Sequence, residues 1–122
     1  MGRSSLAPES DIDQTENIRI QRLDDIWEAQ GCPQVSLVKM DVEGSEPIII
    51  KGGTKFFDRV KPVIICEISG WKLKAMGKNK DDIWFPLQSW GYEGWVWDPT
   101  TDDLVEANGK VNCDVLFIPK SS

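Results

Sequence analysis

The stretch that decides the fold is VSLVKMDVEGSE, at residues 35–46. It begins with apolar residues at both odd and even positions, which is typical of a strand that is covered on both faces of a sheet. Charged residues gather only at its end, at Lys39, Asp41 and Glu43, and a glycine and a serine follow them. We therefore predict a buried strand over residues 35–40 that leads into an acidic loop.

The segment after this loop, PIIIKG at residues 47–52, fits two structures. Three consecutive isoleucines favour a strand by propensity, and a hairpin through residues 43–46 would join it to the first strand. A helix is also compatible, because Ser45 fits the N-cap, Pro47 the first turn and Gly52 the position after the last turn. The local sequence leaves both structures open.

A second buried strand is predicted at residues 63–68, and its acid Glu67 lies near its far end. Short amphipathic helices are predicted at residues 23–31 and 54–60, and a lysine-rich loop at residues 72–80 follows the second strand. This alternation of strand and helix indicates an α/β fold. Because such crossovers are right-handed, the two buried strands are expected to be parallel neighbours.

The C-terminal part of the chain is predicted to add one helix and a closing set of strands. The helix runs over residues 79–90, with Asn79 at its cap and Pro86 placed where it should kink or split the helix. The predicted strands and short pairing segment that follow are at residues 92–97, 104–105 and 113–118. Residues 1–17 are predicted to be a flexible lead, residues 18–119 a single α/β domain, and residues 120–122 a tail.

The composition excludes several classes of protein. With 122 residues, of which 40% are hydrophobic, the chain can build the core of one domain. No apolar run approaches the ~18 residues of a membrane helix, so no membrane partner is expected. The 20 acidic residues outnumber the 14 basic ones, and the net charge of -6 is opposite to that of a general nucleic-acid binder.

Two residue types limit the chemistry further. Because the chain has no histidine, any proton transfer must use carboxylates, lysines, Tyr92, thiols or water. The three cysteines are far apart and show neither a disulfide framework nor a zinc-ligand spacing. We therefore predict no metal site and a reducing, cytoplasmic location.

The acids that follow the two buried strands are the candidate functional residues. The carboxyl ends of parallel strands meet at one rim of the sheet, where open α/β sheets bind their ligands, so Lys39, Asp41 and Glu43 should lie near Glu67. Lys72 is among the lysines expected to border this rim, where it could attract an anion. The side chains that converge at this rim could supply a base, a metal ligand or a hydroxyl-orienting carboxylate. Ordinary solvated charges give the same pattern, so a structural role is open as well.

Several segments, in the right order, resemble the FkbM-type methyltransferase family. The specific one is KMDVEGSE at residues 39–46, and weaker ones lie at residues 23–25, 50–53, 61–67, 87–92 and 114–119. The resemblance covers roughly residues 18–119. It implies a partial Rossmann-type methyltransferase sheet, with residues 35–40 as the fourth strand of the complete fold and residues 63–67 as the fifth. It also implies a helix at residues 45–51 and a closing antiparallel pair at residues 92–97 and 113–118.

The resemblance implies methyl transfer from S-adenosylmethionine to an oxygen acceptor. Asp41 and Glu43 match positions near the methyl-transfer centre, and Glu67 lies beside them. Asp41 would orient or deprotonate an acceptor hydroxyl, with support from Glu43 or Lys39. In the family, the glycine-rich cofactor loop and the ribose-binding acid come from the first two strands. They have no counterpart here, so the cofactor-binding residues are unknown and the chain resembles the C-terminal half of a methyltransferase.

Two functional hypotheses follow. In the first, the chain is a methyltransferase fragment that is inactive alone and needs a partner chain to supply the cofactor half. In the second, it is a non-catalytic α/β binding or assembly module. In both, the strand at residues 35–40 lacks the neighbour it has in the complete fold, so we expect a homodimer through this strand. The alternative is that residues 1–22 supply a neighbour, for which only residues 18–20 have the pattern.

Overall fold

A mixed five-stranded sheet forms the framework of the protein in the computed structural model, which describes residues 21–120. The predicted lead at residues 1–17, the short strand at residues 18–20 and residues 121–122 of the tail lie outside the described residues.

The elements of the described residues alternate between helix and strand. In chain order they are α1 (Leu23–Ala29), β1 (Leu37–Met40), α2 (Glu46–Gly52), α3 (Thr54–Val60), β2 (Val63–Ile68), α4 (Gly70–Ala75), α5 (Asp81–Ser89), β3 (Tyr92–Asp98), β4 (Asp103–Glu106) and β5 (Cys113–Pro119). The strand order is β1-β2-β5-β3-β4. Strands β1 and β2 are parallel, whereas all other neighbours are antiparallel. The α/β class, the parallel pair and the closing antiparallel strands are therefore confirmed.

The ambiguous segment after the acidic loop is a helix, and the hairpin alternative is wrong. Helix α2 begins after Ser45, which occupies the expected N-cap position although its side chain makes no capping hydrogen bond. Ile50 of this helix is fully buried in the core, whereas Ile48 is 53% exposed. Tertiary burial of one helical face therefore outweighs the strand propensity of three isoleucines.

Two other expectations about helices need correction. Residues 72–80 are not simply a loop, because α4 begins at Gly70, with the Ser69 hydroxyl accepting the Lys72 N–H as its cap, and buries Leu73. Pro86 does not split α5, which is one helix of nine residues. The only backbone bond that this proline removes would go to the Asp82 carbonyl in the exposed first turn, where water can replace it.

Among residues 21–120, the buried core lies on one face of the sheet. In β2, Ile64, Cys66 and Ile68 are fully buried, while the alternate residues of the strand are half-buried. The same core takes Trp27, Trp84 and the other buried side chains of the helices. The expectation that the strand at residues 35–40 is covered on both faces is therefore wrong. Leu37 on β1 is 55% exposed, because the helices between the strands all pack on the opposite face.

Buried polar contacts tie distant segments of the chain together. Asp24 on α1 is 3% exposed and accepts the backbone N–H groups of Lys55 and Phe56, at 3.0 and 2.8 Å, in the first turn of α3. The buried Tyr92 hydroxyl donates to the carbonyl of Pro62 just before β2. These contacts join α1 to α3 and β3 to the segment before β2.

Candidate functional site

The loop after β1 is held in its shape by a close backbone contact. Glu43 and Gly44 both have positive φ angles, of 57° and 95°. A Cβ atom at Gly44 would lie only 2.5 Å from the carbonyl oxygen of Lys72 on α4. Glycine is therefore required here for its backbone conformation and for the absence of a side chain, and the loop rests directly on α4.

The buried side chain of Glu46 also holds this loop in place. Its side chain is 2% exposed, and its Oε2 accepts the N–H of Val42 at 3.0 Å. The N–H of Ser45 donates to the carbonyl of Val42 at 3.1 Å, which completes a tight turn. The buried carboxylate at the start of α2 thus fixes the segment that carries Asp41 and Glu43.

Three predicted site residues meet at the rim. One carboxylate oxygen from each of Asp41, Glu43 and Glu67 lies within 4.8 Å of the others. They converge because β1 and β2 are parallel and pair Met40 with Cys66, so that the residues following each partner reach the same rim. The prediction that these acids share one rim is confirmed, whereas their catalytic role stays a prediction.

Lys72 is the cation that lies among these three acids, and we call the four residues the acid cluster. Its ammonium lies 3.0 Å from Glu43 Oε1 and 3.8 Å from Glu67 Oε1. Lys39, the predicted supporting lysine, is instead an exposed residue of β1 opposite Ile65. The sequence pointed to Lys72 only as one of several rim lysines. The signal that could have singled it out is Ser69, whose capping position starts the helix that carries Lys72.

The cluster is an acid–acid pair balanced by a lysine. The Asp41 carboxyl raises the pKa of Glu67, first through a side-chain hydrogen bond and then through charge, while Lys72 opposes the shift. The hydrogen bond to Glu43 raises the pKa of Lys72, so that this lysine keeps its charge. Glu67 therefore binds a proton more readily than an isolated glutamate does.

A polar cleft of about 360 Å³ lies next to the cluster. Its walls come from the end of β2, the start of α4 and the start of β5, and include Glu67, Trp71, Lys72, Asn112 and Asp114. Trp71, one of these lining residues, is 71% exposed. The cleft has room and polar groups for a hydroxylated acceptor beside the acid pair.

The described residues do not fit a complete S-adenosylmethionine. Such a cofactor needs backbone amides and glycines that let the chain approach its polar end. Both glycines at this rim are already engaged, since Gly44 packs against the carbonyl of Lys72 and the N–H of Gly70 donates to Asn112 Oδ1 at 3.0 Å. The three acids offer oxygen ligands of the kind that hard cations prefer, but exposed acids with a lysine among them are not by themselves a metal centre.

Sequence comparison identifies the family. The family described as Methyltransferase FkbM domain matches residues 1–93, about three quarters of the chain. The chain belongs to the FkbM methyltransferase family. The match includes the acidic loop, α2 and Glu67, and it gives no support to the non-catalytic alternative. No curated protein and no solved structure matches the chain.

Membership in the FkbM family supports a methyltransferase-like function and implies S-adenosylmethionine as the methyl donor. The acids at the rim therefore lie in a domain of a methyltransferase family. Among the described residues, no helix has both the length and the apolar character to cross a membrane.

Proposed function

We propose that this chain carries the acceptor side of a methyl-transfer site, at which Asp41 orients and deprotonates the hydroxyl group of the acceptor. The observation that carries the proposal is the pair of Asp41 and Glu67, whose carboxylate oxygens lie within 4.8 Å of each other at the rim of an FkbM-family domain. The methyl donor implied by the family is S-adenosylmethionine.

The pair is suited to receive a proton at the moment when the acceptor oxygen forms its new bond. A hydroxyl group is too weak an acid to ionise in advance, so its proton must leave as the bond forms. Asp41 accepts the hydrogen bond from the hydroxyl, and the proton then belongs jointly to Asp41 and Glu67. The ammonium of Lys72 lies 3.0 Å from Glu43 Oε1. We therefore assign to Lys72 the supporting role that the sequence first suggested for Glu43 or Lys39.

We further propose that residues 1–122 alone do not turn over the donor, because the described rim offers no cradle for it. The chain would then correspond to the C-terminal half of the family domain, and a partner chain would supply the cofactor-binding residues. The three cysteines of the described residues are free thiols, which supports a reducing compartment such as the cytoplasm.

The test is a turnover assay with the chain assembled with the cofactor-binding half of an FkbM-family methyltransferase. Formation of S-adenosylhomocysteine is measured for the wild-type chain, for Asp41→Asn and for the matched control Asp58→Asn, which changes an exposed acid on α3. We expect Asp41→Asn to lower turnover by about 10²–10⁴-fold, the usual contribution of a general base, and Asp58→Asn to leave it unchanged. Equal turnover in all three proteins would refute the role of Asp41.

A further inference from the structure

A notch of about 270 Å³ lies at the edge of the sheet beside the start of β3, and we call it the β3 notch. It lies where β4 has ended, because β4 pairs only with residues 95–98 of β3. Polar side chains from α5, the ends of three strands and the loop after β4 line it: Trp84, Gln88, Glu93, Glu106, Asn108 and Lys120. The notch is separate from the acid cluster, because Lys120 follows the end of β5 whereas Asp114, opposite Glu67, lies near its start.

Trp84 brings a buried hydrogen-bond donor to this notch. The residue is 3% exposed, and its indole Nε1 has no hydrogen-bond partner within the part of the chain that the structure describes. Buried tryptophan N–H groups usually have an acceptor. The ring is held firmly, since it lies so close to Gly94 that a Cβ atom there would collide with it, and it packs edge-on against Phe117 at a centroid distance of 4.9 Å. The β3 notch thus holds a rigid donor for which a ligand can supply the acceptor.

Three charged side chains follow one another along the notch. Glu93 lies opposite Ile118 on β5, and Glu106 lies opposite Trp95 on β3. Because side chains two positions apart share a face, Lys120, Glu93 and Glu106 lie on one face of the sheet, in this order on a diagonal across three strands. None of them takes part in an ion pair within residues 21–120. The notch therefore presents one cation followed by two anions.

We propose that the β3 notch binds a free α-amino acid that carries a guanidinium group, such as L-arginine. The order of its charges matches the order in the notch: the α-carboxylate faces Lys120, the α-ammonium faces Glu93 and the guanidinium faces Glu106. The second oxygen of the carboxylate accepts the N–H of Trp84. Because this N–H is closed to solvent, Gln88, an exposed residue one turn later on α5, rotates its side chain to admit the ligand.

The size and the chemistry of the notch both favour this class of ligand. Its volume is close to the lower limit of small-molecule sites, ~300–1,000 Å³, and suits a single amino acid. The planar guanidinium donates two parallel hydrogen bonds to a carboxylate such as that of Glu106. A sulfonium, as in S-adenosylmethionine, has no hydrogen to donate to these acids. A diamine lacks the carboxylate that Lys120 and Trp84 require, and a dicarboxylate meets repulsion from both acids.

Isothermal titration of the full chain with L-arginine tests the proposal, and two analogues each lack one of the charges. L-citrulline has the same shape but a neutral urea group, and agmatine keeps both cations but has no carboxylate. We expect L-arginine to bind with a Kd below ~1 mM and at least about tenfold more tightly than either analogue. Equal affinities for all three compounds, or no binding of L-arginine, would overturn the proposal.

A matched pair of variants shows where L-arginine binds. Glu106→Gln removes the charge that faces the guanidinium, and Glu28→Gln removes an exposed acid on α1, outside the notch. Glu106→Gln should weaken binding by about tenfold, whereas Glu28→Gln should change it less than about twofold. An equal effect of the two variants would place L-arginine elsewhere and contradict the proposal. Circular dichroism confirms that each variant is folded before binding is compared.

Nitrogen-15 NMR of the indole N–H groups reports on Trp84 directly. Its resonance is the one missing from Trp84→Phe or, where that variant does not fold, the one linked to Trp84 by backbone assignment of the wild type. L-arginine should shift this resonance more than those of the other tryptophans, because among them only Trp84 lines the notch. An unchanged Trp84 resonance under saturating L-arginine would show that its N–H is not part of the site and would overturn the proposal.

Discussion

At the scale of single residues, Glu46 is as important for the rim as the acids that face solvent. It is buried at 2% exposure, and its carboxylate is the partner of the Val42 N–H. The sequence placed Glu46 within the family-like segment but assigned it no role, because burial of a carboxylate depends on how α2 packs. In the structure, Glu46 holds the loop that carries Asp41 and Glu43.

We predict that Glu46→Ala lowers the free energy of unfolding by about 1–3 kcal/mol, because it leaves the N–H of Val42 without its acceptor. Glu46→Gln keeps an acceptor oxygen and should lose less. The control is Glu28→Ala on α1, where an exposed pair with Lys55 is removed and the loss should be below about 1 kcal/mol. Urea unfolding measures all three variants, and equal losses for Glu46→Ala and Glu28→Ala would contradict the role of Glu46.

A second residue-scale prediction concerns pH. Asp41 raises the pKa of Glu67 above its ordinary value of 4.5 in the folded protein. The fold therefore favours the protonated form, and this contribution to stability is present below the ordinary pKa and is lost as the pH rises through the raised one. Glu67→Gln removes the effect. The midpoint of thermal unfolding of the wild type, relative to that of Glu67→Gln, should fall as the pH rises from 4 toward 7, and a difference independent of pH would contradict the coupling.

At the scale of elements, the sequence predicted a strand or helix wherever the segment itself carries a clear pattern of apolar and charged residues. The strand with its terminal acids, the second strand and the closing pair all follow from apolar runs and charge placement. Helix α4 was missed because its six residues are rich in lysine and have one buried anchor, Leu73. It packs against the loop around Gly44 and buries Leu73, and the sequence pattern does not report such tertiary contacts.

For a similar reason, the local sequence could not decide between a strand and a helix at residues 47–52. Three isoleucines satisfy a strand and a helix equally well until one knows that only one side of the segment meets the core. The rim was predicted correctly because parallel pairing follows from chain order alone. The packing of the described helices on one face of the sheet was not predicted, since the side on which a helix packs depends on tertiary arrangement.

The loop and α4 can be tested with a matched pair of glycines. Gly31 and Gly44 have similar positive φ angles, of 87° and 95°, but a Cβ atom meets nothing within 4 Å at Gly31 and the Lys72 carbonyl at 2.5 Å at Gly44. Both substitutions to alanine cost about 1–2 kcal/mol of backbone strain. Gly44→Ala should cost at least about 1 kcal/mol more and should speed hydrogen exchange in α4. Equal costs would show that the loop does not rest on α4.

At the scale of the whole molecule, the outer edge of β1 has no partner strand among the described residues. The carbonyl of Ser36 accepts the N–H of Val63, so alternation along the strand directs the backbone groups of Leu37 and Lys39 away from β2. We propose that two copies pair here in antiparallel fashion, as a continuous sheet with a two-fold axis.

Sedimentation equilibrium tests this pairing. The wild-type chain should sediment as a dimer, and Lys39→Pro should give a monomer because proline removes an outward N–H without removing a bond to β2. Lys39→Ala changes the same side chain and should remain dimeric. A monomeric wild type, or a dimer that survives Lys39→Pro, would show that the edge of β1 is not the interface.

We propose that the described residues 21–120 supply the acceptor side of a methyl-transfer site and not the cofactor side. Three carboxylates and Lys72 meet at the rim, while both glycines there are engaged in contacts within the chain. Isothermal titration of the purified chain with S-adenosylmethionine tests the claim most directly. We predict no binding tighter than a Kd of ~1 mM, which corresponds to about -4 kcal/mol. A Kd in the micromolar range, weakened by Asp41→Asn, would contradict it and would place the cofactor at this rim.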